Sequence, residues 1–145
     1  MSALLLFSCS SSKLTRPTEP IPAIERYTGV FFKVLNKWIR EHPCNPRPDL
    51  LIISAQFGLL RPESLIPYYD QRIDVRRAVA LAPKIQTALQ QELTDRRYRS
   101  ILVNLGRDYL KALEGFNGLQ GATWAQGSIG VRARQLKSWL NETEV

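Results

Sequence analysis

Residues 49–55 read Asp-Leu-Leu-Ile-Ile-Ser-Ala (DLLIISA), four large apolar side chains in a row between a proline-rich stretch and a polar one. A run this short and this apolar predicts a strand covered on both faces. An amphipathic helix would interleave polar positions, and a half-exposed sheet would alternate. Ala3–Phe7 (ALLLF) and Arg99–Leu105 (RSILVNL) share the character, and Ala122–Ala125 is a shorter candidate for a fourth strand.

The segments between these runs carry a helical period. Ile24, Tyr27, Phe31, Val34, Leu35 and Trp38 recur at three- and four-residue steps, which predicts one helix over Ala23–Glu41. His42–Pro48 (HPCNPRP) ends it, because its three prolines remove donors and fix φ. Asp74 is placed to cap a helical region from Val75 to about Leu93, which Pro83 is expected to kink or split. Asp108–Glu114 reads as a short helix. Ile129–Leu140 reads as the last one, with Ile129, Ala133, Leu136 and Leu140 on one face. Ser8–Pro22, Gln56–Gln71 and Phe116–Gly121 are connections. Strands and helices alternate, so the expected fold class is α/β. It would be a three-layer sandwich with a mostly parallel four-stranded sheet and right-handed crossovers, forming a single α/β domain over residues 1–145.

The chain is 44% hydrophobic and 23% charged, close to the average for globular domains, which excludes disorder, a collagen-like repeat and a disulfide scaffold. At 145 residues it can bury a core without staples. Two cysteines, Cys9 and Cys44, and a single histidine argue against a disulfide framework, a His-rich metal site and a Ser-His-Asp arrangement. No metal and no cofactor are expected, and His42 reads as a surface residue of a proline-rich loop. Lys and Arg number 20 against 13 Asp and Glu, a formal charge of +7. The excess is spread along the chain, as a polyanionic partner or simply a basic surface would have it. Met1–Cys9 resembles a lipoprotein signal only superficially. No basic residue precedes the apolar run, and Ala3–Phe7 falls short of the roughly 7–15 residues that a leader needs. No segment approaches the roughly 18 apolar residues of a membrane span. The expected compartment is the reducing cytoplasm, with no membrane contact.

Ligands of open parallel sheets bind beyond the carboxyl ends of the strands. That rule selects Ser8, Cys9, Ser10, Ser11, Ser12 and Lys13 after the first strand, and Ser54, Gln56, Phe57 and Gly58 after the second. It selects Asn104, Gly106 and Arg107 after the third, and Gln126, Gly127, Ser128 and Gly130 after the fourth. Ser10, Lys13 and the Gly127–Gly130 helix start would hold a phosphate, with Arg132 and Arg134 adding positive charge nearby. Cys9 is either a nucleophile, if a cation lowers its pKa, or a small buried residue at a strand end; the sequence offers no base for it. Tyr69 would stack on a base, or pack with Tyr68 beneath the long loop. Asp70 would accept from a base edge or act as a general acid/base, or else pair with Arg72.

Three motifs occur together. The first is Cys9-Ser10-x-x-Lys13. The second is Ile53-Ser54-Ala55-Gln56-Phe57-Gly58-Leu59-Leu60, with Pro62 and Tyr69-Asp70 downstream. The third is Gly127-x-x-Gly130, before an Arg-rich helix ending Trp139-Leu140. The set resembles a small bacterial and phage domain of unknown function, related to YaaA-like peroxide-stress proteins and to a domain of archaeosine synthase. The chain carries Gln56 where that family usually has Lys, and Tyr68 where it tends to have Pro. The resemblance implies an α/β domain linked to nucleic acid or modified nucleobases. The expected function is binding of a nucleotide, nucleobase or nucleic acid, with catalysis at a nucleobase or glycosidic bond through Cys9 and Asp70. The alternative is a non-enzymatic basic nucleic-acid-binding module, and a third reading is a partner-binding subunit whose site is filled.

Overall fold

The apolar runs become the three long strands of one sheet. In the computed structural model, which describes residues 2–142, the chain runs β1 (Ser2–Ser8), β2 (Ile21–Pro22), α1 (Ala23–Arg26) and α2 (Val30–Glu41). It continues through β3 (Asp49–Ser54), β4 (Gly58–Leu60), β5 (Leu65–Ile66) and α3 (Val75–Asp95). It ends with β6 (Tyr98–Asn104), a 3-10 helix (Arg107–Leu113), β7 (Thr123–Trp124) and α4 (Ile129–Glu142). The sheet order is β4-β3-β1-β6-β7, with β1 in the centre and pairing parallel to both β3 and β6. β7 continues the parallel set, and β4 folds back antiparallel on β3. The sheet therefore has five strands, not the four expected from sequence. The extra strand is the three-residue return after a tight turn, where Gly58 takes φ 79°, a conformation that side-chain-bearing residues rarely adopt. β2 and β5 form a separate two-stranded ribbon.

The strand period of two divides the core between the faces. Leu5 and Phe7 of β1 pack with Phe32, Leu35 and Trp38 of α2 and Leu136 and Leu140 of α4. Leu4 and Leu6 pack on the other face with Ala78, Ile85 and Leu89 of α3 and Ala112 and Leu113 of the 3-10 helix. All four β1 side chains are fully buried, each contributing about 1.5–3 kcal/mol by leaving water. The layers are thus α/β/α, as the strand composition demands.

Several elements differ from expectation, each for a local reason. The single helix over Ala23–Glu41 is two, because the first loop takes the backbone groups of residues 26–29. The Leu14 amide donates to the Arg26 carbonyl at 2.8 Å, the Thr28 amide to the Ser12 carbonyl at 2.9 Å, and the Gly29 amide to Ser10 Oγ at 3.1 Å. A Cβ on Gly29 would lie 2.5 Å from the Ser10 Cβ, so this close approach admits only glycine. Pro83 does not split α3, which runs unbroken from Val75 to Asp95. The carbonyl it leaves without a donor belongs to Val79, which is 57% exposed and open to water. The Asp74 cap is present, its carboxylate accepting from the Arg77 amide at 2.7 Å. On α4, Ile129 is exposed and Trp139 takes its place in the core, donating from Nε1 to Ser100 Oγ at 3.0 Å. His42 is half-buried instead of free on the surface. Its ring stacks on Trp38 at 4.8 Å, and Nδ1 lies 2.9 Å from the Trp38 carbonyl. Among the described residues, no helix is long and apolar enough to cross a membrane.

Candidate functional site

At the carboxyl end of β1 the chain leaves the sheet and opens a cleft of about 760 Å³. The first loop, the segment ahead of α3, the start of α2, the turn after β6 and the first residues of α4 all contribute walls. Cys9 sits at its base. The Cys9 amide extends the β1–β3 ladder to the Ile53 carbonyl at 2.9 Å, and Sγ lies 2.9 Å from the Tyr109 hydroxyl. His42, at the far end of α2, is no partner for it.

A tyrosine cluster lies beside the thiol. The Tyr27 and Tyr69 hydroxyls meet at 2.5 Å, and Tyr69 reaches Ser54 Oγ at 3.1 Å. Ser54 Oγ also accepts the amides of Gln56 and Phe57, both at 3.1 Å, so this buried serine fixes the turn into β4 and aims Tyr69. Burial, with the nearby Cys9 as a second cause, pushes the Tyr27 phenol up to about 12. Tyr69 and Tyr109 move further in the same direction for the same leading reason. All three are neutral hydroxyls at physiological pH.

Lys13 reaches back over this cluster. Its Nζ lies 4.7 Å from the Tyr69 ring centroid and 5.8 Å from that of Tyr68, and it donates to the Ser11 carbonyl at 3.3 Å. Phe57 meets Tyr69 edge-on at 5.1 Å. Tyr69 is therefore a held wall with a cation on one face. The loop bearing Lys13 is anchored by Arg26, which is fully buried. The Arg26 guanidinium donates to the carbonyls of Leu14, Pro17, Glu19 and Ile66 at 2.9–3.2 Å.

Arg132, on the first turn of α4, closes the opposite wall. Its Nε donates to Asn104 Oδ1 at 2.9 Å, and its guanidinium carbon lies 4.8 Å above the Phe31 ring. Burial lowers its pKa. Lys13, Arg72 and Arg132 face the cleft against one carboxylate, Asp70. Among the described residues, no ion pair joins any of these four to a partner. In particular, Asp70 does not pair with Arg72.

Of the residues selected from sequence, Ser8, Cys9, Ser10, Ser11, Ser12, Lys13, Tyr69, Asp70, Gly106 and Arg132 line the cleft together. The Gly106 amide donates to Ser8 Oγ at 3.0 Å and ties the β6 end to β1. Ser54 and Asn104 lie one shell behind, supporting Tyr69 and Arg132. The others fall outside. Gln56 is exposed, and its carbonyl accepts from Arg77 at 3.2 Å. Gly58 turns against Lys84, and Arg107 points to solvent. Gly127, Ser128 and Gly130 do not line the cleft. Gly127 turns at φ 108°, and Ser128 Oγ accepts the Val131 amide at 3.3 Å, which starts α4. Sequence reasoning missed Tyr27 and Phe31, whose helical spacing marked them as core, and Tyr109, which lay unremarked in the short helix after the third strand. No group of three or more His, Cys, Asp or Glu side chains that would hold a metal occurs among the described residues.

Fold and site together define an α/β domain with a cation-lined cleft across the ends of its parallel strands. Residues 4–142 match a family of unknown function (DUF6884), and the chain belongs to it. No curated protein and no solved structure matches the chain.

Proposed function

We propose that the cleft binds a ligand bearing a nucleobase. The observation that carries this reading is convergence: Lys13 and Asp70, from separate loops, line one cleft whose walls are aromatic. A volume of about 760 Å³ suits a small molecule and leaves little room for a duplex. Phe31 and Tyr69 line its walls, and the Asp70 carboxylate is an acceptor for the amino or imino edge of a base. The reaction that suits this set lies at the base or its glycosidic bond. At a glycosidic bond the Cys9 thiol passes its proton to Asp70 and attacks the anomeric carbon as the bond to the base breaks; Asp70 delivers the proton to the departing base, and the neutral Tyr109 hydroxyl donates to the thiolate as it forms. The motif resemblance to YaaA-like proteins and to a domain of archaeosine synthase supports the same substrate class.

The test is a thermal-shift screen against nucleobases, nucleosides, nucleotides, deazapurines and short single-stranded DNA and RNA, repeated on Lys13→Ala and Asp70→Ala. A ligand at a hundred times its Kd stabilises the folded state by about 2.7 kcal/mol, several degrees in Tm. The expected result is a small-molecule hit that both variants lose. A response to nucleic acid alone, abolished by salt and indifferent to both substitutions, would replace this reading with that of a basic nucleic-acid-binding module.

A further inference from the structure

We propose that Arg132 is an oxyanion receptor and that the ligand of the cleft carries a phosphate monoester, as a nucleoside monophosphate does. The identity of the ligand as a nucleotide rests on the function proposed above; the receptor itself does not.

The placement of Arg132 runs against two stability rules. It sits in the first turn of α4, where the helix dipole disfavours a cation. It is half-buried, so its charge is partly stripped of water, and burial lowers its pKa accordingly. No described carboxylate pairs with it, and it lacks the set of carbonyl acceptors that surrounds the structural Arg26. It is oriented instead. Asn104 holds Nε, and Phe31 supports the plane from below. Those two contacts leave Nη1 and Nη2 without a hydrogen bond to any described residue, on a side chain that lines the cleft.

The support is itself costly. Asn104 is fully buried, and its Nδ2 has no hydrogen-bond partner among the described residues. An amide left half-satisfied in the interior destabilises the fold, and what it secures is the angle of a guanidinium. A planar fork with two free donors matches two oxygens of one anion. Lys13 and Arg72 add two further positive charges in the same cleft, more than a monocarboxylate needs and suited to a dianion. Asp70 would repel the anion, so the phosphate lies toward Arg132 and the base toward Asp70.

Isothermal titration calorimetry tests this with four nucleosides, their 5′-monophosphates and inorganic phosphate, on the wild-type protein and Arg132→Met. The expected result is that at least one monophosphate binds about tenfold or more tightly than its nucleoside, the scale of a charge-assisted hydrogen-bond pair. In Arg132→Met that ratio falls to within about twofold. Equal affinity of nucleoside and monophosphate for the wild type, which needs no variant to fold, overturns the proposal and leaves the nucleobase reading in place. So does an Arg132→Met protein, folded by circular dichroism, that keeps the full ratio. Inorganic phosphate bound by wild type and lost in Arg132→Met, with no response to any nucleoside or nucleotide, supports the receptor and overturns the nucleobase reading. Binding of none of these probes overturns both.

Discussion

Cys9 sits among three phenols, and their protons decide what surrounds it. Tyr27 has an ordinary value of 10.0 that the fold raises to about 12, and Tyr69 and Tyr109 move the same way. A folded-state value above the unfolded one favours the neutral form in the native protein. The resulting stabilisation is complete below pH 10 and is lost as pH climbs through about 12. In an alkaline titration, the tyrosinate absorbance of these three residues is therefore expected to appear together with loss of tertiary structure above pH 10. Tyrosinate forming at these positions while near-ultraviolet circular dichroism stays native would contradict the buried cluster. At this scale the sequence revealed Cys9, Lys13 and Asp70, because a strand end and a polar residue type are local properties. It did not reveal how Arg132 is held. Its orientation depends on Asn104 and Phe31, two residues that only folding brings to it.

Among the elements, α3 carries a removable cost. Pro83 lies inside it, exposed, and withholds a donor from the Val79 carbonyl. Replacing it with alanine restores an amide to the helix ladder at a position where no neighbour needs the ring. Pro83→Ala is expected to raise unfolding free energy by about 1–3 kcal/mol in urea denaturation. No gain, or a loss, would mean that the proline is tied to packing absent from this structure. The elements also show where periodicity stops informing. The apolar positions of Ala23–Glu41 keep helical spacing across the break at residues 27–29. Spacing reports which side faces the core and is blind to a distant loop that claims the backbone. β4 escaped notice because three residues carry no period at all, whereas the cap at Asp74 was legible because residue type and position coincide.

For the molecule as a whole, the layer order was legible in three apolar runs, since only strands sandwiched between helices can afford no polar face. The convergence of four loops on one cleft followed from parallel topology. Which of their residues enter it did not. Gln56 and the Gly127–Gly130 turn lie at strand ends as expected, yet the Gln56 carbonyl is taken by Arg77 of α3 and Ser128 starts α4.

The buried guanidinium of Arg26 gives the cleft an uncommon kind of acid tolerance. The surface pairs Arg61–Glu92 and Arg96–Asp49 each lose a partner when the carboxylate gains a proton. The four acceptors around Arg26 are peptide carbonyls, which have no proton to gain at any pH that the chain meets in water. Acidification should thus unfasten the periphery before the loop that carries Lys13. The Leu14 amide, bonded to the Arg26 carbonyl at 2.8 Å, is the reporter. On acidification its hydrogen-exchange protection should outlast that of the segments the two surface pairs fasten. Early loss of that protection would show that the loop is fastened by charge pairing instead.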